Sequence, residues 1–185
     1  MFDNFLNIKN GDLDQIQLVI FSGVSGSGKS TYMKHIAQHH DYFKKQKQLW
    51  VNFGIPKNTN HKDILFLDDI TRISDLFKII PRLIRGQRIV MGSHLPIPAL
   101  HFLNFFATQK LYRTDLCAEK LKRFLHAQQV SFSNNVLQNY IKMYKSNYTD
   151  MRLMMEHTQE TQDFDKAYQH FQSYCHIQHF KNDVL

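Results

Sequence analysis

The sequence predicts an α/β fold: a five-stranded parallel P-loop sheet covered by helices, followed by a small all-helical lid. Three observations carry this. Short apolar runs alternate with helical stretches through the first two-thirds of the chain, the pattern of a parallel sheet with crossover helices. The first run leads directly into a glycine-rich turn that opens a helix. After Arg113 the alternation stops and only helical periodicity remains. With 185 residues and 43% hydrophobic content, the chain suffices for one well-cored domain and an appendage, not for two full domains.

Taken in order, the strands fall at 17–22, 48–53 (with the only Trp, Trp50), 64–68, 88–92 and 109–113. Helices fill the gaps at 29–40, 72–85 and 97–106, the second ended by Gly86. In the remainder, Leu121, Phe124 and Leu125 share a helical face with Cys117. Val136, Leu137, Tyr140, Ile141 and Tyr144 repeat behind Ser133 as a cap. Met151, Met154 and Met155 mark a third helix, and Phe164, Tyr168, Phe171 and Cys175 a fourth. The boundary at Thr114 and Asp115 divides a P-loop nucleotide-binding core, 1–114, from a helical lid with a C-terminal helix, 115–185.

The turn itself reads Gly23-Val24-Ser25-Gly26-Ser27-Gly28-Lys29-Ser30 and fits G-x-x-x-x-G-K-[ST] at every fixed position. Small residues let successive backbone N–H groups point inward, and the following helix adds its positive end, so a nucleoside triphosphate is the first ligand to expect. Lys29 would reach the β- and γ-phosphates, the Ser30 hydroxyl would ligate Mg²⁺, and Thr31 would approach the α-phosphate. Gly23 and Gly28 would stand where a side chain blocks the turn or the phosphate.

Hydrolysis also needs a carboxylate for the metal and a group that activates water. Ile64-Leu65-Phe66-Leu67-Asp68-Asp69 supplies both: a buried strand delivers Asp68 to the metal's water shell, and Asp69 polarises water. The fourth strand runs into Ser93 and His94, either of which could bond the γ-phosphate or the water and so sense the bound nucleotide.

These motifs in this order, with Thr149-Asp150-Met151-Arg152 in the helical tail, resemble a compact AAA+ ATPase. The nearest flavour is that of bacterial replication initiators, their regulators and helicase loaders. The resemblance spans about residues 13 to 175, and it implies ATP and Mg²⁺ as cofactors and a role in DNA replication, its control or a related DNA transaction. It also implies that Arg152 contacts the γ-phosphate from the third lid helix. Two departures stand out. The interval from Lys29 to Asp68 is short for that family. An arginine finger is expected just ahead of the fifth strand, yet 102–109 holds no Arg, and Lys110 and Arg113 are the only nearby cations. Assembly into an oligomer therefore lacks its usual signature, and a monomeric or weakly hydrolysing switch fits.

Rival readings are a small-molecule or nucleotide kinase, whose P-loop is similar and whose lid cations would be Arg113, Lys120 and Arg123, and a non-hydrolysing nucleotide-binding adaptor. An ATP-binding cassette would need a Leu-Ser-Gly-Gly-like signature, which the sequence lacks. The formal charge of +7 favours an acidic partner, DNA or a DNA-bound protein foremost, with Lys44, Lys45 and Lys47, then Arg82, Arg85 and Arg88, then Lys120, Lys122 and Arg123 as cationic clusters. Leu6, Ile8 and Phe5 are candidates for an adenine pocket or for core. His170, Cys175, His176 and His179 share a helix but give no convergent zinc set. Two cysteines make no disulfide framework, no stretch approaches 18 apolar residues, and the start lacks a signal-peptide plan. The expectation is a cytoplasmic protein with no membrane partner.

Overall fold

Strand β1 (Leu18–Ser22) is buried along its whole length because it runs through the middle of a parallel sheet. It pairs on one side with β4 (Ile89–Ser93) and on the other with β5 (Gln109–Arg113). Strand β3 (Ile64–Ile70) pairs with β4 and with the edge strand β2 (Gln48–Val51), so the order is β2-β3-β4-β1-β5, every pairing parallel. The computed structural model describes residues 6–52, 54–57, 59–115 and 118–182, with side chains as far as 173. β3 continues two residues past the expected end at 68. β2 stops at Val51, and Phe53 lies outside the described residues.

The chain leaves β1 toward β2 in one direction and returns through β3, β4 and β5 in the other. Right-handed crossovers therefore place the connecting helices on opposite faces. Helix α1 (Lys29–His39), followed by the short α2 (Asp41–Lys44), presents Tyr32, Met33 and Ile36 to Val19, Phe21, Phe66 and Val90. On the other face α3 (Ile73–Ile84) buries Leu76, Ile79 and Leu83 at helical spacing against Leu65, Leu67, Ile89 and Met91. Helix α4 (Ile97–His101) and the 3-10 turn Phe102–Phe105 add Leu100 and Leu103 to that cluster, dividing the helix expected over 97–106. Leu6 and Ile8 pack into the α1-side core, while Phe5 lies outside the described residues.

The chain divides at Thr114 and Asp115 into two compact units. The second comprises α5 (Ala118–Ala127), α6 (Asn134–Tyr144), α7 (Tyr148–Thr158) and α8 (Phe164–Asn182). Its core joins Leu121, Leu125, Leu137, Tyr140, Met151, Met154 and Phe164, and Cys117 lies outside the described residues. The Ser133 hydroxyl accepts from the Val136 N–H at 3.4 Å and starts α6. Asn147 starts α7 by accepting from the Asp150 N–H, and its carbonyl accepts from the buried Tyr140 hydroxyl at 2.9 Å. Among the described residues no helix is long and apolar enough to cross a membrane.

Candidate functional site

The turn from Gly23 to Gly28 joins the end of β1 to the start of α1. Gly26 and Gly28 hold positive φ angles, 71° and 92°, so the backbone coils in a way that L side chains resist. No side chain caps α1 and no acid sits in its first turn. Its N-terminal N–H groups and positive dipole end thus form an anion-binding concavity. Ser25 and Thr31 are exposed and Ser30 is half-buried.

Lys29 folds back over the turn: Nζ donates to the carbonyls of Gly23 at 3.1 Å and Val24 at 2.9 Å, leaving the residue 6% exposed. Ser27 fixes the turn from beneath. The Thr114 hydroxyl gives its proton to the Ser22 carbonyl at 3.1 Å, so Ser27 Oγ donates to Thr114 Oγ1 at 2.6 Å, both residues fully buried. The Gly23 N–H donates to the Ser93 carbonyl at 3.3 Å, tying the turn to the end of β4.

Gly92 on β4 explains how the aspartate of β3 reaches this turn although β4 stands between the two strands. A Cβ at Gly92 would lie 2.9 Å from Asp68 Oδ1 and 3.6 Å from Lys29 Cβ. The bare glycine therefore leaves room for the Asp68 carboxylate of β3 and the base of the Lys29 side chain of α1 to approach the same point over the intervening strand. No sequence motif assigns Gly92 a role. The signal was a glycine inside an otherwise apolar strand. The Ser27–Thr114 bond is invisible in the sequence, since the partners are 87 positions apart.

Asp69 departs from the strand. Three steps along β3, from Leu67 to Ile70, face two along β4, from Met91 to Ser93, which is a bulge. The extra residue lets Leu67 and Ile70 both enter the α3-side core and turns Asp69 to φ 65°. Its N–H donates to Asp68 Oδ1 at 3.0 Å, and its own Oδ1 lies 2.9 Å from His94 Nε2. The Asp69 side chain stays 42% exposed, open to water.

Ser93 is fully buried; its hydroxyl donates to the Ile70 carbonyl at 3.0 Å and accepts from the Leu95 N–H at 3.1 Å. Its proton is committed to the backbone, so only a lone pair remains to offer a ligand. Arg152, in the second unit, is exposed on α7 and pairs with Glu156 Oε1 at 3.2 Å on the same helix. Lys120 is a correction to the cationic clusters and to the lid cations of the kinase reading: it is 1% exposed and its ammonium stands over the Tyr148 ring. Lys122 pairs with Glu119, Lys44 with Asp41, and Lys47 with Asp63.

Among the described residues no three His, Cys, Asp or Glu side chains converge as a metal cluster. A magnesium bound by one carboxylate, one hydroxyl, phosphate and water needs no such cluster. His170 stands 3.9 Å from Glu160, and the side chains of Cys175, His176 and His179 lie outside those described.

No protein-family model and no curated protein matches the sequence. Among solved structures the chain is similar to the crystal structure of a FIGL-1 AAA domain in complex with ADP, at 14% identity and a TM-score of 0.36, over 73% of this chain and 57% of that one. It thus spans little more than half of that chain. The α/β P-loop fold rests on the strand order and the glycine turn themselves.

Proposed function

We propose that this chain is an ATP-binding, Mg²⁺-dependent ATPase or nucleotide-dependent switch of AAA+ type that serves DNA replication, its regulation or a related DNA transaction. One observation carries the nucleotide-binding part: Asp68 and Lys29 approach a common point over Gly92, beside an uncapped helix N-terminus. The crevice between the ends of β1 and β4 is where the chain reverses direction across the sheet, the place where open α/β sheets bind ligands.

In this reading residues 23–31 cradle the phosphates, and Lys29 moves from the Gly23 and Val24 carbonyls to the β- and γ-phosphates. Ser30 and Asp68 would hold Mg²⁺, which neutralises charge on the phosphate oxygens when bound. Asp69 accepts a proton from water as the water oxygen bonds to the γ-phosphorus and the bond to the bridging oxygen breaks, releasing ADP. His94 holds one oxygen of that carboxylate, leaving the other for water. Arg152 reports the γ-phosphate from the helical unit, which acts as the lid. Ser93 supports the end of β4, with His94 the nearer candidate for the sensor.

Hydrolysis would be slow, because 102–109 contains no Arg to complete a neighbour's site. That feature also favours the second reading, a non-hydrolysing adaptor. Calorimetric titration with ATP and Mg²⁺ tests the proposal: saturable heat that Lys29→Ala abolishes is expected, and no heat with any purine triphosphate would overturn it. Phosphate release during the same titration separates switch from adaptor.

A further inference from the structure

At the end of the sheet where β3 and β4 begin, opposite the P-loop, a cavity of about 390 Å³ opens between residues 55–57 and 59–61 on one side and the C-terminal half of α3 on the other. Ile55, Pro56 and Pro81 supply apolar wall, and Lys57, Lys78, Arg82 and Arg85 supply the charge. Among the described residues no carboxylate lines it. Asp75, outside the cavity, pairs with Lys78 at 2.8 Å, and Asp63 turns to Lys47. Among the described residues no carboxylate pairs with Lys57, Arg82 or Arg85.

The wall is built, not incidental. Gln87, 2% exposed, donates to the Asn60 carbonyl at 3.0 Å and the Asp63 carbonyl at 3.1 Å, and accepts from Arg82 at 3.1 Å. Arg82 further donates to the Thr59 hydroxyl and the carbonyls of Pro56 and Lys57, so it pins the loop and keeps its charge in the cavity. Burial first, then the Arg85 charge, pull the Arg82 guanidinium below its ordinary value. Holding like charges in a concavity costs stability that a bound anion would offset.

We infer that this cavity is a second anion site, distinct from the P-loop, that takes a small phosphorylated molecule of nucleotide size. Lys57 and Arg85 face the phosphate and Arg82 positions the loop. The volume falls in the usual range for small-molecule pockets, about 300–1,000 Å³, and the Ile and Pro wall suits the organic part of such a ligand. A nucleic-acid backbone would instead favour a continuous cationic surface over a bounded hollow.

The test is amide chemical-shift mapping of the intact chain titrated with inorganic pyrophosphate. Two sets of amides should move independently, one in 23–31 and one at Thr59, His61 and Gln87. Lys57→Glu and Arg85→Glu, both at exposed positions, should raise the concentration needed for the second set about tenfold or more and leave the first unchanged. The inference is overturned if the second set stays still while the first saturates, or if both variants leave it unaltered. It is also overturned if unphosphorylated single-stranded DNA moves the second set and pyrophosphate does not. Silence at 23–31 with movement at the second set would count against the P-loop reading alone.

Discussion

His94 Nε2 and Asp69 Oδ1 stand 2.9 Å apart, joining the end of β4 to the bulge of β3. An ionised carboxylate only accepts, so Nε2 carries the hydrogen and the imidazole orients the acid. Asp69→Asn should lower phosphate release about 100-fold or more, the usual effect of losing a general base, while the nucleotide dissociation constant stays within about threefold. His94→Ala should lower release about tenfold with binding likewise retained, because the carboxylate remains and only its orientation is lost. Steady-state phosphate release beside calorimetry checks both. Unchanged turnover in Asp69→Asn would remove Asp69 from the mechanism.

Lys29 bridges two carbonyls of its own turn, so it holds the loop besides the ligand role proposed for it. Lys29→Ala should abolish measurable nucleotide binding. It should also lower the melting temperature by several degrees in the absence of nucleotide, since hydrogen bonds from a charged donor contribute about 1.5–3 kcal/mol each. Lys29→Met keeps the stem's packing and should lose binding with a smaller stability change. Equal nucleotide affinity in either variant would contradict the site.

The sheet was legible in the sequence because buried parallel strands read as unbroken apolar runs, and Leu18 to Phe21 and Ile64 to Leu67 are such runs. The glycine turn was legible because its constraints are local. Non-local features were not. That β4 lies between β1 and β3, that Gly92 opens a path for Asp68, and that Ser27 bonds Thr114 all depend on strand order, which no window of sequence contains. The bulge at Asp69 was hidden for a related reason: a twin aspartate after four apolar residues reads as a strand end, whereas Ile70 returns to the core. Lys120 misled because a lysine beside Lys122 and Arg123 looks solvated until its helix is packed.

Gly92→Ala isolates the approach of Asp68 and Lys29 to one point. The added Cβ falls 2.9 Å from Asp68 Oδ1 and 3.2 Å from Met33 Sδ, so the carboxylate must move. Overpacking of this kind costs about 1–3 kcal/mol, so the melting temperature should fall by a few degrees. The more specific outcome is a loss of Mg²⁺ dependence: nucleotide should still bind the turn, but added Mg²⁺ should strengthen binding much less than in the parent chain. Titrations with and without Mg²⁺ measure this. A parent-like response to Mg²⁺ would mean that Asp68 does not serve the metal.

Alkaline pH offers a test of the two packed cores through their tyrosines. Burial, aided by the charge of Asp12, pushes the Tyr112 hydroxyl up to about 12 where its ring stacks against Phe21. In the helical unit burial raises Tyr140 further, helped by Asp150, and burial raises Tyr168. An unfolded tyrosine ionises near 10, so above that value the unfolded chain releases protons that the folded chain retains. Stability from these groups is therefore whole below pH 10 and falls as pH rises toward about 12. The melting temperature should drop through that window, and phenolate absorbance should rise together with unfolding. Tyr112→Phe should flatten the part of the fall that comes from the first unit. Phenolate absorbance that rises with a single midpoint near 10 for all the tyrosines, in a chain that is still folded, would show that these rings are not packed as described.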